Sequence, residues 1–427
     1  MHKRNKRRKY LQFIIIMLIT ASASIAVRCL LTYENKRSDP NVYETVPATE
    51  NAGTEDSGTQ IIQTAEPHTE PAQTDRQDTD ISDAGSNELF AEFYEPAEKL
   101  LQNMTLEEKI GQMFLARFPK NGVIEEIQNY YPGGYILFAR DFKNETPESI
   151  LSKLKECQNT SKIKMILGVD EEGGTVVRVS AYEAFRHDRF LSPQQLWANG
   201  QLPAILNDSK EKSALLKSIG FNMNLAPVAD VPTDPSSFIF DRSYGTDPKE
   251  TAVYVSELIK AMNEDGMISV MKHFPGYGDN ADTHTGIAVD ERPYDMFTNS
   301  DFLPFISGIE ASGPCILVSH NIIKSMDADK PASLSKKVHD ILRTELNFSG
   351  IIMTDDLAMD AVKSYAENGE AAVLAVSAGN DMIISSDLKG QSLEILNAVK
   401  QGKIDEAQID KAVKRILALK LMYKIEE

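Results

Sequence analysis

The chain has 427 residues, a formal net charge of −18 at pH 7 and three cysteines, which is enough sequence for one large domain or two small ones. The acidity argues against a nucleic-acid partner, because phosphate backbones are bound by basic surfaces. The three cysteines include no CxxC pair and are odd in number, so they indicate neither a zinc site nor a disulfide framework.

The first 32 residues have the pattern of an export signal. A basic stretch, residues 3–9, precedes an apolar run at residues 11–27, and this order predicts a basic end that stays in the cytoplasm. The run is at the short limit for a membrane span. We expect residues 1–32 to form an uncleaved transmembrane anchor. A signal peptide cleaved near Ala21-Ser22-Ala23 is the alternative.

Residues 33–87 form the next segment, which is rich in Thr, Glu, Asp, Ser, Pro, Gln and Ala and nearly free of aromatic residues. Such a composition cannot bury enough apolar surface to fold. We therefore predict a disordered linker between a membrane and a folded body. A flexible chain of this length has a root-mean-square reach of about 40 Å.

The folded body is predicted to span residues 88–427. Continuous apolar runs alternate there with segments of helical period, which indicates a parallel sheet covered on both faces. About eight such units predict an α/β fold of the TIM type, a single (β/α)8 barrel, with an open doubly wound sheet as the alternative. The predicted strands are residues 112–117, 135–140, 164–170, 222–230, 269–274, 315–320, 350–355 and 381–384, and the clearest helices are residues 145–157, 248–263, 336–346 and 369–377.

Polar residues cluster where the apolar runs stop. In a (β/α)8 barrel all of these points lie on the C-terminal rim, where catalytic groups gather. A lone Asp after a strand is more often a helix cap, but six coincidences favour a site. The groups are Arg140-Asp141, Asp170-Glu171, Asp230, Lys272-His273, His320-Asn321 and Asp355-Asp356.

The segment from Lys272 to His284 carries the densest chemistry in the chain. Pro275, Gly276 and Gly278 exclude a helix, so the histidines are expected on a loop. Asp282 and His284 are two residues apart, and their side chains point the same way in an extended chain. A carboxylate bonded to an imidazole fixes its tautomer and raises its basicity, as proton transfer by a histidine requires.

Several ordered motifs in the body resemble glycoside hydrolase family 3, in its β-N-acetylglucosaminidase branch. The resemblance covers nearly the whole body and implies a (β/α)8 catalytic domain. Many members carry a second α/β domain, for which this chain is too short. The motifs are residues 104–113 (MTLEEKIGQM), 133–138 (GGYILF), 169–174 (VDEEGG), 225–230 (LAPVAD), 241–245 (DRSYG), 272–276 (KHFPG), 282–284 (DTH) and 354–359 (TDDLAM).

The resemblance also implies the catalytic residues. Asp355 corresponds to the nucleophile of this branch, with its neighbour Asp356 as the competing choice. The pair Asp282 and His284 replaces the usual second carboxylate as proton donor. Two features depart from the family: Tyr277 stands where histidine is common, and the segment between Lys272 and Asp282 is one residue shorter. We do not expect Tyr277 to be catalytic.

Substrate binding is assigned by the same resemblance. Asp170 is expected to accept hydrogen bonds from sugar hydroxyls, and four cations or donors are expected to contact hydroxyls and the acetamido group: Arg178, Arg242, Lys272 and His273. Glu171 and Glu172 are expected to support their loop rather than react, and His320 to lie in the core or behind the site. No metal-ligand spacing and no phosphate-binding loop occur, so no cofactor is expected.

Together these observations predict a monomeric, membrane-tethered and extracellular enzyme of a Gram-positive type of bacterium. It would remove terminal N-acetylglucosamine from cell-wall fragments by a retaining mechanism. A β-glucosidase and a glycoside phosphorylase of the same family are alternatives. A non-catalytic, wall-anchored sugar-binding protein is a further alternative, against which the intact Asp282, His284 and Asp355 argue.

Overall fold

A computed structural model describes residues 88–283, 286–366 and 370–425. The predicted anchor (1–32) and linker (33–87) lie outside these residues, and so does His284. Within the described part of the chain, no helix combines the length and hydrophobicity needed to cross a bilayer.

The centre of the body is an eight-stranded parallel barrel. The eight strands are β1 (Phe114–Arg117), β2 (Gly134–Leu137), β3 (Ile166–Val169), β4 (Met223–Asn224), β5 (Ile268–Phe274), β7 (Cys315–Val318), β9 (Ile351–Thr354) and β10 (Ile383–Ser385). They are neighbours in chain order, β10 pairs with β1, and a bridge between Met353 and Met382 joins β9 to β10. The barrel is thus closed, and the open-sheet alternative is excluded. A separate pair, β6 (Val289–Asp290) and β8 (Ile322–Ile323), lies in the connections that follow β5 and β7.

Helices follow the strands and pack on the barrel in one continuous apolar core. Their starts follow from local chemistry: Thr105 accepts the N–H of Glu108, whose carboxylate accepts the N–H of Thr105, which satisfies two otherwise unpaired donors. The α-helices are Tyr94–Leu101, Leu106–Gln112, Val123–Tyr130, Pro147–Thr160, Pro193–Ser218, Pro248–Glu264, Tyr294–Met296, Phe302–Glu310, Lys336–Asp340, Asp360–Tyr365, Ala371–Ala378, Leu388–Lys400 and Glu406–Met422.

Each predicted strand coincides with an observed one, but two local expectations need correction. The run 222–230 was expected to be one long strand, whereas only Met223–Asn224 pairs regularly, because Pro227 in its middle has no N–H to donate. His273 was expected on a loop, but it lies within β5, whose seven residues are all buried. The loop begins at Pro275, so the backbone of His273 is held by the sheet.

Candidate active site

Two acids and two cations form a connected ion-pair network at the C-terminal ends of β3 and β5. Lys272 Nζ lies 2.7 Å from Asp170 Oδ1 and 2.6 Å from Glu172 Oε1. Arg242 donates to the same glutamate through Nε at 3.0 Å and Nη2 at 2.9 Å. The side chains of Lys272 and Glu172 are each only 3% exposed, so these charges are held in fixed positions with little competition from water.

Glu172 is the centre of this network. Burial alone would raise the pKa of its carboxyl, but the charges of Arg242 and Lys272 outweigh burial and hold that pKa far below its usual value. Glu172 therefore stays ionised across the physiological range. It acts as a fixed counter-charge that orients both cations toward the barrel mouth.

His273 has both ring nitrogens engaged. Nδ1 lies 2.7 Å from Asp230 Oδ2 and Nε2 lies 3.2 Å from Arg242 Nη2. A guanidinium can only donate, so Nε2 accepts and Nδ1–H donates to Asp230. A sugar contact by His273 would therefore require Nε2 to exchange Arg242 for a hydroxyl group. Its predicted contact with substrate stays a prediction.

The loop after β3 is shaped by Glu171, which is fully buried. Its carboxylate accepts backbone N–H groups of Arg178 at 2.8 Å, Val179 at 2.7 Å and Ser180 at 3.2 Å, together with the hydroxyl of Ser180. These bonds carry Arg178 back over the site, where its guanidinium lies 3.6 Å from Asp170. Glu171 thus supports the loop through backbone bonds, while Glu172 is part of the charged network itself.

The two acids after β9 have different surroundings. The backbone N–H of Asp355 donates to Val318 of the adjacent strand at 3.0 Å, and its Oδ1 accepts the N–H of Asp356 at 2.8 Å. Asp356 is committed elsewhere, since its oxygens accept Ala358 N–H at 2.9 Å and the Ser386 hydroxyl at 3.1 Å. Burial raises the pKa of Asp356 and the charge of Asp355 adds to this rise, whereas the hydrogen bond from Ala358 N–H opposes it. Asp355 and Asp356 thus differ in their contacts, and the choice of Asp355 as the attacking group stays a prediction.

His320 is buried and supports the backbone at the end of β9. Nε2 lies 3.0 Å from the carbonyl oxygen of Asp356, and Nδ1 lies 2.7 Å from the hydroxyl of Ser333. A carbonyl only accepts, so Nε2 carries the proton that holds the Asp355-Asp356 backbone in place. This buried position agrees with the expected core or supporting role.

The predicted proton-transfer pair is described only in part. Asp282 is half-buried and Thr283 is fully buried, whereas His284 lies outside the described residues. Thr283 Oγ1 is 2.6 Å from the hydroxyl of Tyr277. Burial raises the pKa of Tyr277, and the charge of Asp355 adds to that rise.

The sequence did not reveal the roles of three residues at the site. Asp230 was given no specific role, Glu172 was not expected to pair with the cations, and Tyr277 was expected only to be non-catalytic. Asp230 is fully buried and accepts three bonds, from His273 Nδ1, His273 N and Tyr277 N. Its only signal in the sequence was its place after an apolar run. Glu172 and Tyr277 could not be assigned because their partners are distant in sequence or depend on how a loop folds.

A closed (β/α)8 barrel whose C-terminal mouth carries paired acids and cations defines an enzyme site suited to a polar substrate rich in hydroxyl groups. The comparisons identify the family. The model of the glycosyl hydrolase family 3 N-terminal domain matches residues 105–419. The chain therefore belongs to glycosyl hydrolase family 3, and it is a glycosyl hydrolase.

Named relatives are similar over most of the body. A β-hexosaminidase of Nitrosomonas eutropha is 30% identical over 299 residues, which cover 67% of this chain and 84% of the relative. A β-hexosaminidase of Idiomarina loihiensis is 32% identical over 277 residues, covering 62% and 79%. The solved glycoside hydrolase family 3 β-N-acetylglucosaminidase from Paenibacillus sp. str. FPU-7 superposes with a TM-score of 0.71 at 29% identity, covering 76% of this chain and 64% of that longer chain.

Proposed function

We propose that this protein is an exo-acting, retaining β-N-acetylglucosaminidase. The observation that carries the proposal is the buried network of Asp170, Lys272, Glu172 and Arg242 at the barrel mouth that also holds Asp355. Fixed donors and acceptors of this kind suit a sugar ring with a fixed array of hydroxyl groups. The names of the β-hexosaminidase relatives support N-acetylglucosamine as the terminal sugar.

The proposed reaction has two steps. In the first, a carboxylate oxygen of Asp355 bonds to the anomeric carbon while the bond to the aglycone oxygen breaks, and His284, in its protonated form, gives its proton to that oxygen. In the second, neutral His284 takes a proton from water, the water oxygen bonds to the anomeric carbon, and the ester to Asp355 breaks. Two inversions give net retention. Asp282 holds the imidazole in the required tautomer.

The proposed location is outside the cell, on a membrane tether. The basic residues before the apolar run at 11–27 support a cytoplasmic N-terminus, and the polar linker supports a body held away from the bilayer. Cell-wall fragments are the natural substrates at that place, and the protein would act as a monomer without a cofactor. Secretion after signal cleavage is the alternative location.

Phosphorolysis is a second candidate for the same site. A histidine proton donor carries no fixed negative charge, so it would repel an incoming phosphate less than a glutamate would. The departure of the aglycone would be unchanged. In the second step phosphate would bond to the anomeric carbon in place of water and yield a sugar phosphate.

The test combines substrate preference with trapping. Purified protein is assayed with 4-nitrophenyl β-glycosides of N-acetylglucosamine and of glucose, in the presence and absence of inorganic phosphate. We expect the acetamido sugar to be preferred in kcat/KM on the order of 100-fold or more, since an absent partner leaves buried donors unpaired. Phosphate should not change the product.

A 5-fluoro analogue of the sugar should form an ester on Asp355, located by mass spectrometry, and Asp355→Asn should lose several orders of magnitude in turnover. Asp356→Asn is the matched control, which should keep most activity. An ester on Asp356 would refute the nucleophile assignment. Equal kcat/KM for both sugars would indicate a β-glucosidase, and a sugar phosphate product would indicate a phosphorylase.

A further inference from the structure

Tyr277 occupies a fully determined position at the start of the loop after β5. Its side chain is 1% exposed, and its backbone N–H donates to Asp230 Oδ1 at 2.8 Å. The ring stands edge-on to His273, with centroids 5.1 Å apart, and to Phe238, with centroids 5.0 Å apart. Backbone and ring are therefore both fixed by residues of the barrel mouth.

The hydroxyl of Tyr277 reaches forward along its own loop. It lies 2.6 Å from Thr283 Oγ1, and Thr283 is fully buried. Burial first, and the charge of Asp355 second, raise the pKa of this phenol, so it stays neutral and keeps its proton for a hydrogen bond. The neighbours of Thr283 in the chain are Asp282 and His284.

A second contact closes the base of the same loop. Arg292 donates through Nη2 to the carbonyl of Gly276 at 3.1 Å, through Nε to Asp290 at 2.9 Å and through Nη1 to Asp301 at 3.1 Å. Arg292 thus ties the start of the loop, at Gly276, to its far end, at Asp290. The span between these two points is crossed by the bond between Tyr277 and Thr283.

We propose that Tyr277 is a positioning residue whose hydroxyl fixes Thr283, the residue that stands between Asp282 and His284 in the chain. The inference rests on the proposed function, because it requires that Asp282 and His284 transfer the proton. The role is indirect, since the phenol acts through Thr283.

The test exploits the chemistry of the leaving group. Departure of 2,4-dinitrophenol needs no protonation, whereas departure of 4-methoxyphenol does. Tyr277→Phe should lower kcat/KM, which reports the step of aglycone departure, about 10- to 100-fold for the 4-methoxyphenyl N-acetylglucosaminide, a part of the 10²–10⁴ that a positioned acid contributes. The kcat/KM of the dinitrophenyl substrate should fall less than about 3-fold, because its leaving group needs no proton.

The partner residue supplies an internal check. Thr283→Val should show the same dependence on the leaving group, Thr283→Ser should keep most activity because its hydroxyl remains, and Tyr277→Phe combined with Thr283→Val should be no worse than either alone. The matched control is Tyr135→Phe. It removes another buried phenol bond, from Tyr135 to Glu126 at 2.9 Å, and should lower stability without changing the leaving-group dependence.

Two outcomes separate the inference from the proposed function. If His284→Ala shows the leaving-group dependence in kcat/KM but Tyr277→Phe loses kcat/KM equally on both substrates, the inference is overturned and the proposed function stands. If His284→Ala itself loses equally on both, the proton donor is misassigned and both fall. Multiplicative losses in the double variant would also overturn the inference, because they would mean that the two hydroxyls act independently.

Discussion

At the scale of single residues, Glu172 shows how a site can be ordered by a group that need not react. It is buried with two cations, and each cation has a further acidic or aromatic neighbour at the barrel mouth. Removing one member of a buried ion pair leaves its partners' charge incompletely compensated and costs about 3–5 kcal/mol. Glu172 therefore couples the binding site to the stability of the barrel.

Glu172→Gln should be destabilising at neutral pH, and the loss should depend on pH. The pKa of Glu172 in the folded protein lies below its usual value of 4.5, so its stabilising contribution is present above about pH 4.5 and is lost as the pH falls toward the folded-state pKa. Urea unfolding of parent and variant at pH 7 and pH 4 measures this. The difference in unfolding free energy should be about 3–5 kcal/mol at pH 7 and smaller at pH 4.

The exposed Glu183→Gln is the control for this experiment, since the Glu183 side chain is 84% exposed. It should unfold like the parent at both pH values. A Glu172→Gln effect of the same size at pH 4 and pH 7 would contradict the electrostatic account and indicate a packing defect instead.

At the scale of elements, the barrel could be predicted because its strands are buried on both faces and therefore appear as continuous apolar runs. The rim position of Asp170, Lys272 and Asp355 followed from the same rule, since polar residues end those runs. What could not be predicted was set by contacts between segments far apart in sequence. The pairing of Glu172 with Arg242 joins loops 70 residues apart, and no local pattern encodes it.

The loop after β5 shows which structural features follow from the local sequence and which depend on residues elsewhere in the chain. Its glycines exclude a helix, which is a local effect. Two of them are also required because Arg292 and Asp301 leave no room for a side chain. A Cβ atom on Gly276 would lie 2.3 Å from Asp301 Oδ1, and one on Gly278 would lie 2.5 Å from Arg292 Nη1. The loop can lie against this ion pair only because both positions lack a side chain.

Gly276→Ala should therefore be costly in two ways. Its φ of +118° is a conformation that L residues rarely adopt, and the methyl group would displace Asp301 from Arg292. Together these effects predict a loss of roughly 2–6 kcal/mol in unfolding free energy, with a fall in kcat/KM for substrates that need protonation. Thermal or urea unfolding with parallel assays would measure both.

Gly122→Ala separates the two causes, because Gly122 has a φ of +75° and no atom within 4 Å of the added Cβ position. It should cost only the backbone strain, about 1–3 kcal/mol, and leave activity unchanged. Equal losses for the two variants would show that the contact with Asp301 is unimportant.

At the scale of the whole molecule, the body should be independent of what precedes it. The described body starts at Glu88, and its first residues are integral: Phe90 is fully buried and the backbone N–H of Leu89 donates to Ser349 Oγ at 3.1 Å. The polar composition of residues 33–87 leaves them too little apolar surface to add to this core. Folding and catalysis should thus need only residues 88–427.

A protein of residues 88–427 should fold and match the full chain in kcat/KM. A protein of residues 94–427 is the matched control: it lacks Phe90 and should lose about 3–5 kcal/mol in unfolding free energy, as loss of a buried Phe does.

In cells, the full chain should fractionate with membranes and its body should be cleaved by protease added outside, because the basic residues before the apolar run predict a cytoplasmic N-terminus. Full-length protein in the cytosol would rule out the anchor. A shortened form in the medium would favour a cleaved signal peptide and leave the catalytic assignment intact, since it rests on the barrel alone.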